Sequence, residues 1–131
     1  MLRGESVDPV IIDYGLATHS DLENYLFFRC GTPGYVAPEI IALTHSQHTE
    51  PVCDIFSLGA IFHLLLARKP LFPGTKFDEV YQKNRDLEMD LDGPQLSGIS
   101  PNAKSLLKAM LEVNPAKRIT ATQALQHSYF S

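Results

Sequence analysis

The longest nearly apolar run in the chain, Ile55 to Ala67, is broken only by Ser57, Gly59 and His63. Residues 52–67 are apolar on almost every face of a helix, a pattern that calls for burial on all sides. Pro51 suits the first turn of that helix, and Lys69-Pro70 followed by Pro73-Gly74 ends it. Thr75, with Asp78 three residues on, predicts a capped helix running to about Arg85. The Asp- and Gly-rich residues 86–99 read as a loop. Ser100-Pro101 pairs a cap with a first-turn proline. Ala103, Leu106, Leu107, Met110 and Leu111 follow at helical spacing, and Asn114-Pro115 stops them. Thr120 with Gln123 forms a capping box for a last short helix to about Gln126.

The first third of the chain has a different pattern. Residues 8–12 (Asp-Pro-Val-Ile-Ile) are short and β-branched and predict a strand. Met1-Leu2-Arg3 can pair with it across Gly4-Glu5-Ser6, giving a remnant N-terminal β-hairpin. Residues 16–36 show no period and predict a long ordered loop, a feature that is functional more often than accidental. The expected fold class is therefore mainly α, with two short strands, a long loop and then four helices.

Composition narrows the function. The 131 residues are 44% hydrophobic and 20% charged, with a net charge of −4 and a pI near 5.6. That apolar content offsets the entropy of ordering. Lys and Arg are scattered, which argues against nucleic acid or an acidic membrane surface as the main partner. Two cysteines and no secretory leader exclude a disulfide scaffold and favour an intracellular, cytoplasmic setting. The apolar run is too short to span a bilayer. His45, His48 and Cys53 fit no zinc-finger spacing and lack a fourth ligand.

Four motifs occur in order: Asp13-Tyr14-Gly15 after the expected strand; Cys30 followed by Gly31-Thr32-Pro33-Gly34-Tyr35-Val36-Ala37-Pro38-Glu39; Asp54-Ile55-Phe56-Ser57-Leu58-Gly59 at the head of the buried helix; and Asn114-Pro115-Ala116-Lys117-Arg118. Together they resemble the C-terminal lobe of a eukaryotic protein kinase domain of the Ser/Thr type, nearest the calcium/calmodulin-dependent group. The resemblance covers residues 1–131. It implies a partial domain in which residues 1–15 hold the strand remnant and magnesium motif, 16–39 the activation segment, and 40–131 the helical lobe.

The resemblance also implies roles. Asp13 would hold the magnesium of Mg-ATP, a hard cation that prefers carboxylate oxygen, and Gly15 would allow the sharp turn after it. Tyr14 stands where Phe is usual, so its hydroxyl needs a partner. Thr32 would support the catalytic loop. Arg29, Gly31, Thr32, Pro33, Gly34 and Tyr35 would bind a protein substrate, with Arg29 favouring an acidic neighbour of the target hydroxyl. Leu64 occupies a position where kinases selecting arginine carry an acid. Glu39 and Arg118 would form a buried ion pair, and Asp54 would accept backbone N–H bonds from the catalytic loop. Thr18, Ser20, Tyr25 and Thr32 are candidate phosphosites, but Phe28 fills the position that many kinases phosphorylate.

No His-Arg-Asp loop, Gly-rich phosphate loop or Val-Ala-Ile-Lys type motif occurs in the sequence. The resemblance places all three upstream of Asp13. Met1-Leu2-Arg3-Gly4 looks like the tail of an Asn-Ile-Met-Leu sequence, so the chain is expected to be a fragment, or an incomplete gene reading, of a longer kinase. ATP and magnesium would then serve the full-length parent, with neither held tightly by this chain alone. A non-catalytic kinase-derived module that docks partners is the alternative. Either way the apolar helix of residues 52–67 needs cover, and the isolated chain is expected to be insoluble or only partly folded.

Overall fold

The computed structural model describes residues 9–19, 30–43 and 50–131. Among the described residues five α-helices carry the fold: α1 Pro38–Ala42, α2 Val52–Ala67, α3 Phe77–Arg85, α4 Pro101–Met110 and α5 Ala121–Leu125. Two 3₁₀ turns, Pro94–Leu96 and Ser128–Phe130, complete it. Among the described residues there is no strand, only an isolated bridge residue at Pro9. The rest of the expected strand, Val10 to Ile12, is exposed, and its expected partner Met1-Leu2-Arg3 lies outside the described residues.

Helix α2 is the axis of the structure. It packs against α4 and against the Pro94–Leu96 turn, while α1 packs on α3. The core is built from Phe56, Phe72, Leu96, Leu107 and Leu111, all essentially without solvent exposure. Close approach of α2 to α4 depends on Gly59: a Cβ there would meet Leu111 Cδ2 at 2.9 Å and Met110 Cβ at 3.1 Å. Alanine at this position would force the two helices apart.

Helix ends follow local chemistry. Arg68 takes a left-handed conformation (φ 55°) and donates its N–H to Leu64 C=O, closing α2 before Pro70. Ser100 accepts the Ala103 N–H with Pro101 at the first position of α4. Thr120 and Gln123 form the reciprocal capping box of α5. The start of α3 differs from expectation. Lys76, not Thr75, occupies the cap position and makes no side-chain cap bond. Instead the Glu79 carboxylate reaches back to accept the Thr75 N–H at 3.1 Å, and it also pairs with Lys83 one turn on. Helix α1 is an addition to the four expected helices, started by Pro38 with Glu39 in its first turn.

Helix α2 is not covered all round by the described residues. Leu58 is 51% exposed, Ile61 43% and Leu65 72%, and these lie on one stripe with exposed Asp54. None of the helices among the described residues is long and apolar enough to cross a membrane.

Candidate functional site

The site is the loop that leads into α1, residues 30–37, and the groups that hold it. Its first element is a turn in which Tyr35 N–H bonds back to Thr32 C=O at 3.1 Å. Within that turn Gly34 takes φ +92°, a backbone conformation that favours glycine. Three side chains from elsewhere in the chain then fix the loop. Asn84, on α3, accepts the Gly34 N–H through Oδ1 at 2.9 Å and donates through Nδ2 to Val36 C=O at 3.0 Å. Ser57, on α2, donates its hydroxyl to Tyr35 C=O at 2.8 Å. Neither Asn84 nor Ser57 was singled out from sequence, yet between them they pin residues 34–36.

The third anchor is the ion pair at the far end. Arg118 is buried, and every N–H of its guanidinium has an acceptor. Nη1 donates to Glu39 Oε1 at 2.5 Å and Val52 C=O at 3.0 Å. Nη2 donates to Glu39 Oε2 at 2.8 Å and Val113 C=O at 3.3 Å. Nε donates to Glu112 C=O at 2.8 Å. The guanidinium also sits 5.2 Å above the Phe56 ring. One side chain thus ties α1, the head of α2 and the segment after α4 together. Phe56 supplies the aromatic ring that this packing uses.

Asp13 is exposed and takes a left-handed backbone (φ 65°). The left-handed step therefore falls on the aspartate rather than on Gly15. Gly15 N–H donates to Asp13 Oδ1 at 3.3 Å, and Ala17 N–H closes a turn onto Tyr14 C=O at 3.0 Å. The extra hydroxyl of Tyr14 finds its partner in Ile11 C=O at 3.3 Å. An aspartate held outside the favoured regions, at the end of an apolar segment, is the type of strained position that clusters at functional sites. Its carboxylate suits magnesium, which proteins hold through one or two carboxylates plus substrate phosphates. Among the described residues no group of three or more potential ligands could hold a metal ion.

A cavity of about 530 Å³ lies between the segment after Asp13, the loop and the head of α2, lined by Ala17, Thr32, Tyr35, Glu50, Asp54 and Ser57. Thr32 and Asp54 are thus brought to one space, and both are exposed. Asp54 receives a weak contact from the Cys53 thiol at 3.8 Å. Burial, with the Asp54 and Glu39 carboxylates nearby, pushes the Cys53 thiol up to about 11, so it remains protonated near neutrality. A smaller cavity of about 200 Å³ opens on the other side of the loop, toward α3. Gly31 lines both cavities, and Pro33 lines the smaller. Arg29, Phe28, Ser20, Tyr25, His45 and His48 lie outside the described residues.

Comparison with known proteins places the chain in a family. The family model for the protein kinase domain matches residues 1–130. The chain is 36% identical over 122 residues to the calcium/calmodulin-dependent protein kinase type II subunit delta of Oryctolagus cuniculus, covering 92% of this chain and 22% of that protein. It is 37% identical over 119 residues to calcium-dependent protein kinase 4 of Plasmodium berghei (strain Anka), covering 91% of this chain and 22% of that protein. The chain therefore spans about a fifth of the length of these relatives. With its matched motifs gathered around one helical core, the chain belongs to the protein kinase domain family and is similar within it to calcium/calmodulin-dependent members.

Proposed function

We propose that this chain supplies the peptide-binding face of a protein serine/threonine kinase. The observation that carries the proposal is the loop at residues 31–37, held in one conformation by Asn84, Ser57 and the Glu39–Arg118 pair. With its Gly34 N–H, Tyr35 C=O and Val36 C=O already paired inside the chain, the loop presents one fixed surface against which an extended peptide can lie. In this reading Gly31, Thr32, Pro33, Gly34 and Tyr35 meet the substrate, joined by Arg29, and Thr32 orients the catalytic loop of the complete domain. In this reading Asp13 offers its carboxylate to magnesium, whose chemistry when bound is to neutralise the charge of the transferring phosphate. Phosphoryl transfer also needs a base and a phosphate-clamping lysine, and no motif for either occurs in these 131 residues. The chain by itself is thus non-catalytic.

That same lack of a base motif favours a second reading, a binding module that docks protein partners through the same loop without Mg-ATP. Both are tested by titrating the purified chain with labelled Ser/Thr peptides, then with Mg-ATP, and assaying phosphate transfer. Peptide binding without turnover is expected. Turnover would overturn the non-catalytic assignment, and no peptide binding would overturn the peptide face. Mg-ATP affinity separates the kinase reading, which predicts weak but measurable binding at Asp13, from the module, which predicts none.

A further inference from the structure

Asn84 is completely buried, the one fully buried residue of a helix that is mostly charged and polar apart from Phe77, Val80 and Tyr81. An apolar side chain of similar size would fill the same space with no amide to desolvate, so packing alone does not call for asparagine. Both ends of its carboxamide are committed to the loop. Oδ1 takes the Gly34 N–H and Nδ2 reaches Val36 C=O, and this pairing fixes which end is oxygen and which is nitrogen. Between these two bonds, Ser57 holds Tyr35 C=O from the opposite side. The loop is therefore clamped between α3 and α2, with Asn84 making two of the three clamping bonds. Asn84 also lines the wall of the 200 Å³ cavity shared by Cys30, Pro33, Val36, Phe77 and Tyr81. A change in its side chain alters the loop and that cavity together.

We propose that Asn84 is a positioning residue for the peptide site: it sets the direction of the Gly34 amide and Val36 carbonyl and so the surface that residues 31–36 present. This rests on the assignment of those residues as a peptide face. Asn84 acts through the loop backbone. Asn84→Leu removes both bonds and leaves the Gly34 N–H and Val36 C=O without partners. Asn84→Asp keeps an acceptor for Gly34 but sets a second oxygen against the Val36 carbonyl.

The test uses the full chain, with a degenerate Ser/Thr peptide library as probe, reading peptide affinity by fluorescence anisotropy and stability by thermal melt. Leu107→Ala, a core truncation on α4, serves as the control for general destabilisation. Asn84→Leu is expected to weaken peptide binding about tenfold or more, the effect of losing two hydrogen bonds, with Asn84→Asp between it and wild type. Leu107→Ala is expected to lower the melting temperature while binding within about twofold of wild type. If wild type binds and Asn84→Leu and Asn84→Asp both bind within about twofold of it, the positioning role is overturned while the peptide face stands. If Leu107→Ala loses as much affinity as Asn84→Leu, the effect is stability and the role is again overturned. If wild type binds no member of the library, the peptide face fails and the inference fails with it.

Discussion

Replacing Glu39 by Gln tests the buried ion pair at its more informative end. The substitution keeps the shape of α1 but removes the charge opposite Arg118, whose side chain has no solvent exposure. Stranding one partner of a buried pair costs about 3–5 kcal/mol. Two features place this pair at the lower end. The Glu39 side chain is 21% exposed, so part of its charge is already hydrated. Arg118 also keeps three backbone carbonyl acceptors, on Val52, Glu112 and Val113, after the carboxylate is gone. The expected loss is therefore about 3 kcal/mol, a large share of the ~5–15 kcal/mol that holds a domain together. Arg118→Met is expected to cost at least as much, because it orphans those same carbonyls and removes the contact over Phe56. Urea unfolding of both single variants and the double variant provides the assay. The double variant should lose clearly less than the sum of the singles, because the two groups interact directly. Single variants within about 1 kcal/mol of wild type, or strict additivity, would refute the reasoning.

Three further outcomes follow from the same structure. His63 is buried, with Nδ1 on Lys69 C=O and Nε2 without a partner. Burial lowers its pKa, and the Lys69 carbonyl and Asp90 oppose that only in part. The unfolded chain therefore takes the proton first, so stability is full above about pH 6.5 and falls as pH drops below it. His63→Phe should flatten the slope of stability between about pH 6.5 and 5, and an unchanged slope would contradict the assignment. Cys53, with its thiol near 11, should resist iodoacetamide at pH 8 until denaturant is added, since roughly one thiol in a thousand is ionised there; with the second free thiol, Cys30, told apart by peptide mapping, rapid labelling of native Cys53 would exclude this. Leu65→Lys should change stability by no more than about 0.5 kcal/mol and raise solubility, because the side chain is already largely exposed; a loss above about 2 kcal/mol would show that the stripe is covered.

Much of the helical layout was legible because it rests on local chemistry. The bounds of α2 follow from an apolar run closed by Pro70, and the caps at Ser100 and Thr120 are short-range hydrogen bonds that the sequence spells out. Helix α1 was missed because five residues are too few to show a period, although Pro38 followed by Glu39 is a start signal. The start of α3 lies one residue later than expected, with no side-chain cap bond, and Glu79 in its first turn instead accepts the Thr75 N–H.

The site divides in the same way. Glu39 and Arg118 are separated by 79 positions, and only resemblance could join them. Asn84 was passed over because a polar residue in a charged helix reads as solvent-facing. A signal was available: Val80 and Asn84 lie one turn apart on the same face of α3, and Val80 packs on the core. Asp54 was expected among backbone donors of a catalytic loop. Those donors belong to a motif that does not occur in this sequence, and here the residue is exposed. The uncovered stripe on α2 has the same basis: periodicity shows that a face is apolar but not what lies against it.

The most direct test of the account is a backbone-amide NMR titration of the labelled chain with a Ser/Thr peptide. Binding to the clamped loop predicts saturable shifts concentrated at the amides of Gly31, Thr32, Gly34 and Tyr35, with α4 and α5 unchanged. No saturable shift, or a footprint on α4 and α5 that spares the loop, would contradict it.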